Sequence, residues 1–277
     1  MEYLKLNNGI EMPVLGFGTF MLNGIVCEES VANAIRIGYR MIDTAEAYGN
    51  EEAVGKGIRA SGISREKIFL VTKVNFKSYE NAKAAVEQSL KNMQIDYIDL
   101  LLLHWPFANY YAAWRVLEEL YTEGKLRSIG VSNFEPSQLI DLIAYNKIVP
   151  AVNQIETNLY CQRIKHRKWL NENNVAHMAY APLGQGNRNE MFAEPTVIEI
   201  AEKYGKTTSQ ILLRFLTQKN ISVIPKSSNL QHIKENYEIF DFALSSGEIK
   251  LLEQLDMNKA LIGNPQMPEM VEMSLNW

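Results

Sequence analysis

The chain has 277 residues, of which 47% are hydrophobic and 22% charged, a composition typical of globular proteins. Its formal net charge of -4 at pH 7 gives no support for binding to nucleic acid or to an acidic membrane surface, because both require a basic face. The first five residues lack the pattern of a signal sequence, and no apolar run is long enough to span a membrane. We therefore expect a cytoplasmic protein.

Cysteine and histidine usage argues against disulfides and metals. Cys27 and Cys161 form no CxxC motif and no disulfide-scaffold pattern. One pair does not exclude a disulfide, but we expect two buried free thiols. The histidines lie far apart, and none belongs to an HxH or HExxH motif, so we expect catalysis without a metal. They are His104, His166, His177 and His232.

The predicted elements begin with a β-hairpin. Residues 3–6 and 10–14 flank Asn7-Asn8-Gly9, and Asn-Gly between apolar stretches is a strong hairpin signal because both turn residues favour positive φ.

Apolar strand-like runs and amphipathic helical segments then alternate. Strands are predicted near residues 14–18, 39–43, 68–73, 98–103, 126–131, 151–155, 175–180 and 221–224. Helices are predicted near residues 28–37, 50–60, 79–92, 112–123, 135–145, 162–173, 208–218 and 230–239, with two extra helices near 195–204 and 245–255. The alternation predicts a parallel sheet, and eight units favour closure into a (β/α)₈ TIM barrel, which needs about 250 residues. We expect one domain over residues 1–277, with the tail from Gly263 to Trp277 as a loop over one barrel end.

Polar side chains end or follow eight different predicted strands. They are Thr19, Asp43, Lys73, His104, Asn133, Gln154, Tyr180 and Lys226. The carboxyl ends of parallel strands meet at one rim of a barrel, where functional residues collect. This distribution therefore predicts an active site at that rim.

One competing motif fails. Gly16-Phe17-Gly18, with Asp43 about 25 residues later, imitates the fingerprint of a Rossmann dinucleotide-binding fold. The third glycine belongs at position 21, which is methionine, and the next predicted helix begins too late.

Asp43, Tyr48, Lys73 and His104 together suit carbonyl reduction. Such a reaction needs a hydride donor and an acid that protonates the developing alkoxide. A tyrosine phenol can be that acid if an ammonium stabilises its anion. We therefore assign Tyr48 as the acid and Lys73 as the stabilising ammonium. Asp43 would partner the ammonium, and His104 would hydrogen-bond the carbonyl oxygen. Considered alone, His104 would be interpreted as a histidine packed in the core and Lys73 as a lysine on the surface. Their combination with Asp43 and Tyr48 favours a catalytic role for both.

The motifs around these residues resemble those of the aldo-keto reductases, in particular short prokaryotic members such as diketogluconate and aldehyde reductases. They are Gly16-Phe17-Gly18-Thr19, Ile42-Asp43-Thr44-Ala45, His104-Trp105-Pro106, Gly130-Val131-Ser132-Asn133-Phe134 and Ile224-Pro225-Lys226-Ser227, in a resemblance that spans about residues 4–277. The resemblance implies a barrel plugged at the bottom by the hairpin, and a catalytic tetrad with Tyr48 as general acid.

The resemblance also implies NADPH as the cofactor, with NADH possible. Ser132, Asn133 and Gln154 would hold the carboxamide, and Tyr180 would stack on the nicotinamide. The loop Leu183-Gly184-Gln185-Gly186 would approach the pyrophosphate, and Gly18, Thr19 and Pro182 are further residues expected to bind the cofactor. The adenosine phosphate would meet Lys226, Ser227, Ser228 and Asn229, and adenine would meet Glu235 and Asn236. His232 stands where the family commonly has arginine; it either meets the phosphate or is an exposed helix residue without a role.

Phe20, Trp105 and Phe107 are expected to line the substrate pocket, because they adjoin rim residues. Apolar walls over one polar site suit small or medium carbonyl compounds. The segment after Phe107 and the C-terminal tail are short, which indicates an open cleft. We expect a monomeric reductase of aldehydes, ketones or keto acids. The alternative is a nucleotide-sensing regulatory subunit on the same fold, although the intact tetrad favours an enzyme.

Overall fold

A short antiparallel hairpin opens the chain in the computed structural model, which describes residues 2–276. Its strands are β1 (Tyr3–Lys5) and β2 (Glu11–Pro13), and Leu4 pairs with Met12. Of the Asn-Gly pair only Gly9 has a positive φ, 88°; the Leu6 carbonyl accepts from the Gly9 N–H at 2.9 Å. The turn therefore spans Asn7-Asn8-Gly9, as the sequence predicted, but only one of its residues has the positive φ that was expected of both Asn8 and Gly9.

The hairpin closes one end of a barrel. The Asn8 amide donates to the Arg127 carbonyl at 3.0 Å, and the Asn7 amide donates to the Pro150 carbonyl at 3.0 Å. Both acceptors lie before strands, at the end of the barrel opposite the rim. Met12 is fully buried. The predicted plug at the bottom of the barrel is confirmed.

Eight parallel strands form the barrel wall. They are β3 (Phe17–Gly18), β4 (Met41–Asp43), β5 (Phe69–Val74), β6 (Leu100–Leu103), β7 (Ile129–Ser132), β8 (Val152–Glu156), β9 (Ala176–Tyr180) and β10 (Ser222–Val223), paired in sequence order. The wall closes where Leu15 bridges Val223 in parallel and the Gly16 N–H donates to the Val223 carbonyl at 2.9 Å. The predicted (β/α)₈ barrel is confirmed.

Twelve helices lie within residues 2–276. They are α1 (Gly24–Ile37), α2 (Glu51–Ala60), α3 (Ala82–Met93), α4 (Tyr110–Thr122), α5 (Pro136–Ala144), α6 (Ile164–Glu172), α7 (Arg188–Phe192), α8 (Pro195–Tyr204), α9 (Thr208–Thr217), α10 (Leu230–Tyr237), α11 (Ser246–Glu253) and α12 (Pro268–Ser274). Every predicted helix is present. Two short helices were missed: α7, and α12 inside the tail predicted as a loop. Trp277, the last residue of that tail, lies outside the described residues.

The strands are apolar on both faces because the barrel has two buried layers. Leu100 and Leu102 belong to the cluster that fills the barrel interior, whereas Leu101 and Leu103 belong to the cluster between strands and helices. Alternate strand residues point to opposite faces, so a continuous leucine run satisfies both layers. Cys27 and Cys161 are buried free thiols, as expected. In the described part of the chain no helix combines the length and apolarity needed to cross a membrane.

The contact between α2 and α3 depends on a glycine. A Cβ added at Gly55 would lie 2.7 Å from the Met93 Cα and would overlap the Met93 carbonyl oxygen. We expect Gly55→Ala to lower the free energy of unfolding by about 1–3 kcal/mol, although helix propensity alone would raise it by about 1 kcal/mol. Urea unfolding measures the difference.

Gly247→Ala in α11 is the matched control, since the nearest atom to its new Cβ is the Ser245 hydroxyl at 3.9 Å. It should gain about 0.4–1 kcal/mol. Equal gains in both variants would contradict the proposed clash at Gly55.

Candidate active site

Tyr48 reaches the rim on a 3₁₀ turn, Glu46–Tyr48, that follows Asp43 at the end of β4. The Glu46 carboxylate accepts from the Asn75 N–H at 2.7 Å and from the Ser78 hydroxyl at 2.6 Å. Gly49 ends the turn with φ 64°, a conformation that glycine adopts at little cost. The turn is thus tied to the loop that follows β5.

The ammonium of Lys73, on β5, is buried beneath Tyr48. Its Nζ donates to Asp43 Oδ1 at 2.7 Å, to the Thr44 carbonyl at 2.9 Å and to the Tyr48 hydroxyl at 3.5 Å. The three N–H groups of an ammonium therefore all have acceptors. The Lys73 side chain is 0% exposed and that of Asp43 is 2% exposed, so solvent does little to screen the pair.

Asp43 also bonds across the barrel. Its Oδ2 accepts from the Gln154 amide nitrogen at 2.7 Å. Gln154 lies on β8, four strands away from β4 around the closed sheet. The bond therefore connects strands on opposite sides of the rim.

Burial controls the protonation of the two groups nearest this ion pair. Burial raises the pKa of Tyr48 well above its ordinary value, and Asp43 adds to the shift. Burial lowers the pKa of His104 well below its ordinary value, and Lys73 adds to that shift. Burial also lowers the pKa of Lys73, against the opposing effect of Asp43. At neutral pH the phenol is therefore protonated and the imidazole uncharged.

His104 is held next to Tyr48 by its backbone. The Asn133 amide donates to the His104 carbonyl at 3.1 Å, and the rings of Tyr48 and His104 meet edge to face with centroids 5.8 Å apart. His104 Nδ1 is buried without a hydrogen-bond partner among residues 2–276. The other ring nitrogen, Nε2, is therefore the one available to a ligand.

Amide and hydroxyl groups cluster at the ends of β7, β8 and β9. The Ser132 hydroxyl donates to the Gln154 carbonyl at 2.8 Å, and the Tyr180 hydroxyl donates to Asn133 Oδ1 at 2.9 Å. Asn133 has a positive φ of 66°, which few residue types other than asparagine and glycine adopt readily. The bonds to Tyr180 and His104 stabilise that conformation.

A cavity of about 560 Å³ opens above these groups. The predicted site residues on its wall are Gly18, Phe20, Asp43, Tyr48, His104, Trp105, Ser132, Asn133, Gln154, Tyr180, Pro182, Leu183 and Lys226. The Phe20 ring packs on the Tyr48 ring with centroids 5.0 Å apart. Most of the residues that the strand-end pattern predicted for the site thus lie together on the wall of one cavity.

Phe107 and Thr19 do not lie on the cavity wall. Phe107 is stacked on Trp105 with ring centroids 5.5 Å apart and packs edge to face on Phe76. It therefore packs against Trp105 rather than lining the cavity, and its contact with substrate stays a prediction. The Thr19 hydroxyl donates to the Asp43 carbonyl at 2.9 Å, so it fixes the end of β4.

The predicted phosphate-binding segment extends away from the cavity. Lys226 is on the wall, whereas Ser227, Ser228, Asn229, His232, Glu235 and Asn236 are not among the lining residues. Asn229 Oδ1 accepts from the His232 N–H at 3.1 Å and so caps α10. Gly184 has φ 74° at the start of a 3₁₀ turn. Exposed polar groups near a helix N-terminus suit an anion.

Several wall residues were not predicted. Among them are Ala47, Arg188, Ile262, Met270 and Met273. The last three come from the chain after α11, where the sequence indicated a short tail and an open cleft. Its methionines were the available signal, because methionine often lines adaptable apolar surfaces.

Comparison with known proteins agrees with the fold. The model of the aldo/keto reductase family matches residues 14–257. The chain is 41% identical over 268 residues to a glyoxal reductase of Bacillus subtilis (strain 168), covering 95% of this chain and 96% of the relative. These similarities and the site define an oxidoreductase that reduces carbonyl groups. The chain belongs to the aldo/keto reductase family.

Two solved structures extend the similarity. MGS-M4, an aldo-keto reductase from a Medee basin deep-sea metagenome library, matches with a TM-score of 0.93 and 40% identity, covering 96% of this chain and 98% of that one. A Bombyx mori aldo-keto reductase in complex with NADP matches with a TM-score of 0.89 and 34% identity, covering 95% of both chains. The family match and this NADP complex together support the use of a nicotinamide cofactor by this protein.

The buried ion pair makes a prediction about stability. Asp43→Asn leaves the Lys73 ammonium uncompensated, and Lys73→Met leaves the Asp43 carboxylate uncompensated. Each should lower the free energy of unfolding by about 3–5 kcal/mol. The double variant should lose much less than the sum, because neither buried charge remains. Urea unfolding of the four proteins measures this coupling.

The pair Lys56–Glu52 is the control, with the same 2.7 Å separation but side chains 49% and 68% exposed. Lys56→Met with Glu52→Gln should leave stability unchanged within error, since exposed ion pairs contribute little. Additive losses at Asp43 and Lys73 would contradict the coupling.

Proposed function

We propose that this protein reduces aldehydes, ketones or keto acids to alcohols with NADPH, and that Tyr48 is the general acid. The observation that carries the proposal is the buried Asp43–Lys73 pair directly beneath Tyr48, beside His104 on the wall of the cavity. An acid, a cation to stabilise its anion and a neutral hydrogen-bond donor meet at one place.

The donor set of the wall fits a nicotinamide. Ser132, Asn133 and Gln154 offer hydroxyl and amide groups suited to a carboxamide, and Tyr180 offers an aromatic face beside them. When bound, the reduced cofactor supplies the hydride. Gly18, Pro182 and Leu183 on the wall, with the adjoining Gly184, would provide the backbone surface for the pyrophosphate.

In the proposed reaction Tyr48 donates its hydroxyl proton to the carbonyl oxygen. The phenol is protonated at neutral pH because burial raises its pKa. As negative charge develops on the phenolic oxygen, the ammonium of Lys73, 3.5 Å away, stabilises it. Asp43 keeps Lys73 charged and in position.

We assign to His104 a hydrogen bond to the carbonyl oxygen. Its uncharged state at neutral pH avoids a second cation beside Lys73. With Nδ1 buried and unpartnered within residues 2–276, the favoured tautomer carries the proton on Nε2, because an unpartnered buried N–H costs more than an unpartnered lone pair. This tautomer lets His104 donate.

The substrate class is inferred from the apolar and polar side chains on the cavity wall. Phe20 and Trp105 present apolar rings next to Tyr48 and His104. One polar end and apolar walls suit small or medium aldehydes and ketones. The glyoxal reductase relative supports 2-oxoaldehydes as first substrates to test.

The preference for NADPH rests on the segment that begins at Lys226. Lys226, Ser227, Ser228 and Asn229 precede or cap α10, and an ammonium beside a helix N-terminus suits the 2′-phosphate. Glu235 and Asn236 would contact adenine. The exposed His232 would meet the phosphate, although less strongly than arginine, whose planar fork makes two charge-assisted bonds.

The regulatory alternative gains no support, since the family match and the relative named above point to enzymes. A monomeric state, a cytoplasmic location and a single domain over residues 1–277 remain predictions. The two buried free thiols agree with a reducing compartment.

Removal of the Tyr48 hydroxyl tests the acid. We expect Tyr48→Phe to lower kcat by about 10²–10⁴-fold, because no other group on the wall supplies that proton as directly. The NADPH dissociation constant should change only a few-fold, since other strand ends hold the dinucleotide. The assay follows NADPH oxidation with a panel of aldehydes, ketones and keto acids, and repeats it with NADH.

Tyr180→Phe is the matched control: it loses a hydroxyl that donates to Asn133 but keeps the ring, and it should retain most of kcat. A positioned acid contributes at least about 10²-fold to the rate. If Tyr48→Phe kept more than about a third of the wild-type kcat, Tyr48 would not be the acid.

Position 232 tests the phosphate contact. His232→Arg should tighten NADPH binding by about 1–2 kcal/mol, the scale of a charge-assisted hydrogen bond, with little change for NADH. His232→Gln replaces the imidazole with an amide of similar size and serves as control. Calorimetric titration of both cofactors into the three proteins measures the effect. Identical NADPH affinities throughout would show that position 232 does not contact the phosphate.

A further inference from the structure

After α11 the chain returns to the barrel rim as a C-terminal segment of residues 254–276, which we call the tail. Three of its apolar side chains, Ile262, Met270 and Met273, lie on the cavity wall; we call them the C-terminal wall. Gly263 has φ 145°, and a Cβ there would lie 3.0 Å from the Met270 sulfur. Met270 therefore packs against the backbone directly after Ile262, so the wall moves with that backbone.

A single buried carboxylate holds the start of this wall. Glu156, the last residue of β8, is 0% exposed. Its Oε1 accepts from the Leu261 N–H at 2.6 Å, and its Oε2 accepts from the Ile262 N–H at 3.0 Å. The Asn158 amide also donates to Oε1 at 3.2 Å. Both carboxylate oxygens are thus used, and two of the donors are consecutive tail amides.

Other polar contacts between the tail and the barrel come earlier in the chain. The Tyr160 carbonyl accepts from the Met257 N–H at 2.9 Å and from the Lys259 N–H at 3.3 Å. Beyond Ile262, and within the part of the chain that ends at residue 276, the recorded hydrogen bonds join tail residues to each other, such as Met267 N–H to the Asn264 carbonyl at 3.0 Å. Glu156 is therefore the last polar anchor before the wall.

We propose that Glu156 is a specificity-determining positioning residue: by holding the amides of Leu261 and Ile262 it sets the C-terminal wall, and so decides how well the cavity binds bulky apolar carbonyl compounds relative to small ones. The proposal rests on the function proposed above. A small aldehyde makes its contacts only at the end of the cavity near Tyr48 and His104. A bulky substituent must also bury apolar surface against the C-terminal wall, so only its binding depends on where that wall lies.

Glu156→Gln is the sharpest test because it keeps the size of the side chain. One acceptor oxygen becomes an NH₂ group, which must face a backbone N–H. One of the two tail amides then loses its acceptor and meets another donor. Hydrogen exchange resolved at Leu261 and Ile262 should become faster, and this readout does not depend on activity.

Steady-state kinetics supply the second readout, with methylglyoxal as the small substrate and a naphthaldehyde as the bulky one. For Glu156→Gln we expect KM for the naphthaldehyde to rise about ten-fold, a typical effect of lost contacts in an apolar pocket. Its kcat, both constants for methylglyoxal and the NADPH dissociation constant should stay close to wild type. Met273→Ala, which removes part of the wall itself, should raise the same KM.

Glu118 provides a matched control. This buried residue of α4 accepts from the N–H groups of Lys147 and Ile148, both at 2.7 Å, and neither loop residue lines the cavity. Glu118→Ala and Glu156→Ala each remove an acceptor of two consecutive loop amides. Both should lower stability, but only Glu156→Ala should change the ratio of kcat/KM between the two substrates.

An unchanged ratio in Glu156→Gln, or equal losses for both substrates, would overturn the proposal and leave Glu156 a role in stability only. Failure of the proposed function looks different, because wild type would then reduce no carbonyl compound. The dissociation constant of the naphthaldehyde, measured by fluorescence quenching with and without the substitution, still reports on the wall in that case. A weakened constant supports the proposal, and an unchanged one contradicts it.

Discussion

The arrangement of the active-site rim depends on the free-energy cost of burying the Lys73 ammonium. Removing an ammonium from water costs several kcal/mol even after the protein relaxes, so each of its N–H groups needs an acceptor. Asp43, Thr44 and Tyr48 supply them. The acceptors come from β4 and from the turn after it, and the donor comes from β5. The register of these strands is therefore set by electrostatics as well as by packing.

Burial explains why the two titratable groups beside this ion pair, Tyr48 and His104, are both uncharged at neutral pH. Burial is the largest cause of the raised pKa of Tyr48, and the Asp43 carboxylate, 2.7 Å from the Lys73 ammonium, adds to it. The sequence suggested that Lys73 stabilises the tyrosinate; the pKa of Tyr48 is nevertheless raised, with burial as the first cause. Burial likewise keeps His104 uncharged. One apolar environment thus yields a protonated phenol and a neutral imidazole.

The sequence predicted the barrel and most of the rim for a physical reason. Parallel strands must present their carboxyl ends at one edge, so polar residues such as Asp43 and His104 could be assigned to one site before any distance was known. Local order did not predict which way a side chain faces: Phe107 follows Trp105 closely but lies behind it. Long-range contacts were equally hidden. Nothing local to Gln154 indicates that its amide nitrogen reaches Asp43 across the barrel.

The tail was the largest omission, and its helix shows why. Pro268 begins α12, a position where proline is favourable, but seven residues with scattered methionines give no helical period. Its placement comes from β8 instead. Alternate residues of a strand share a face: Val152 packs in the barrel interior, Gln154 bonds Asp43, and Glu156 bonds the tail. Three successive inward positions of one strand therefore support the core, the chemical end of the cavity and its C-terminal wall. A shift of β8 by one residue would exchange its two faces, so all three depend on a single register.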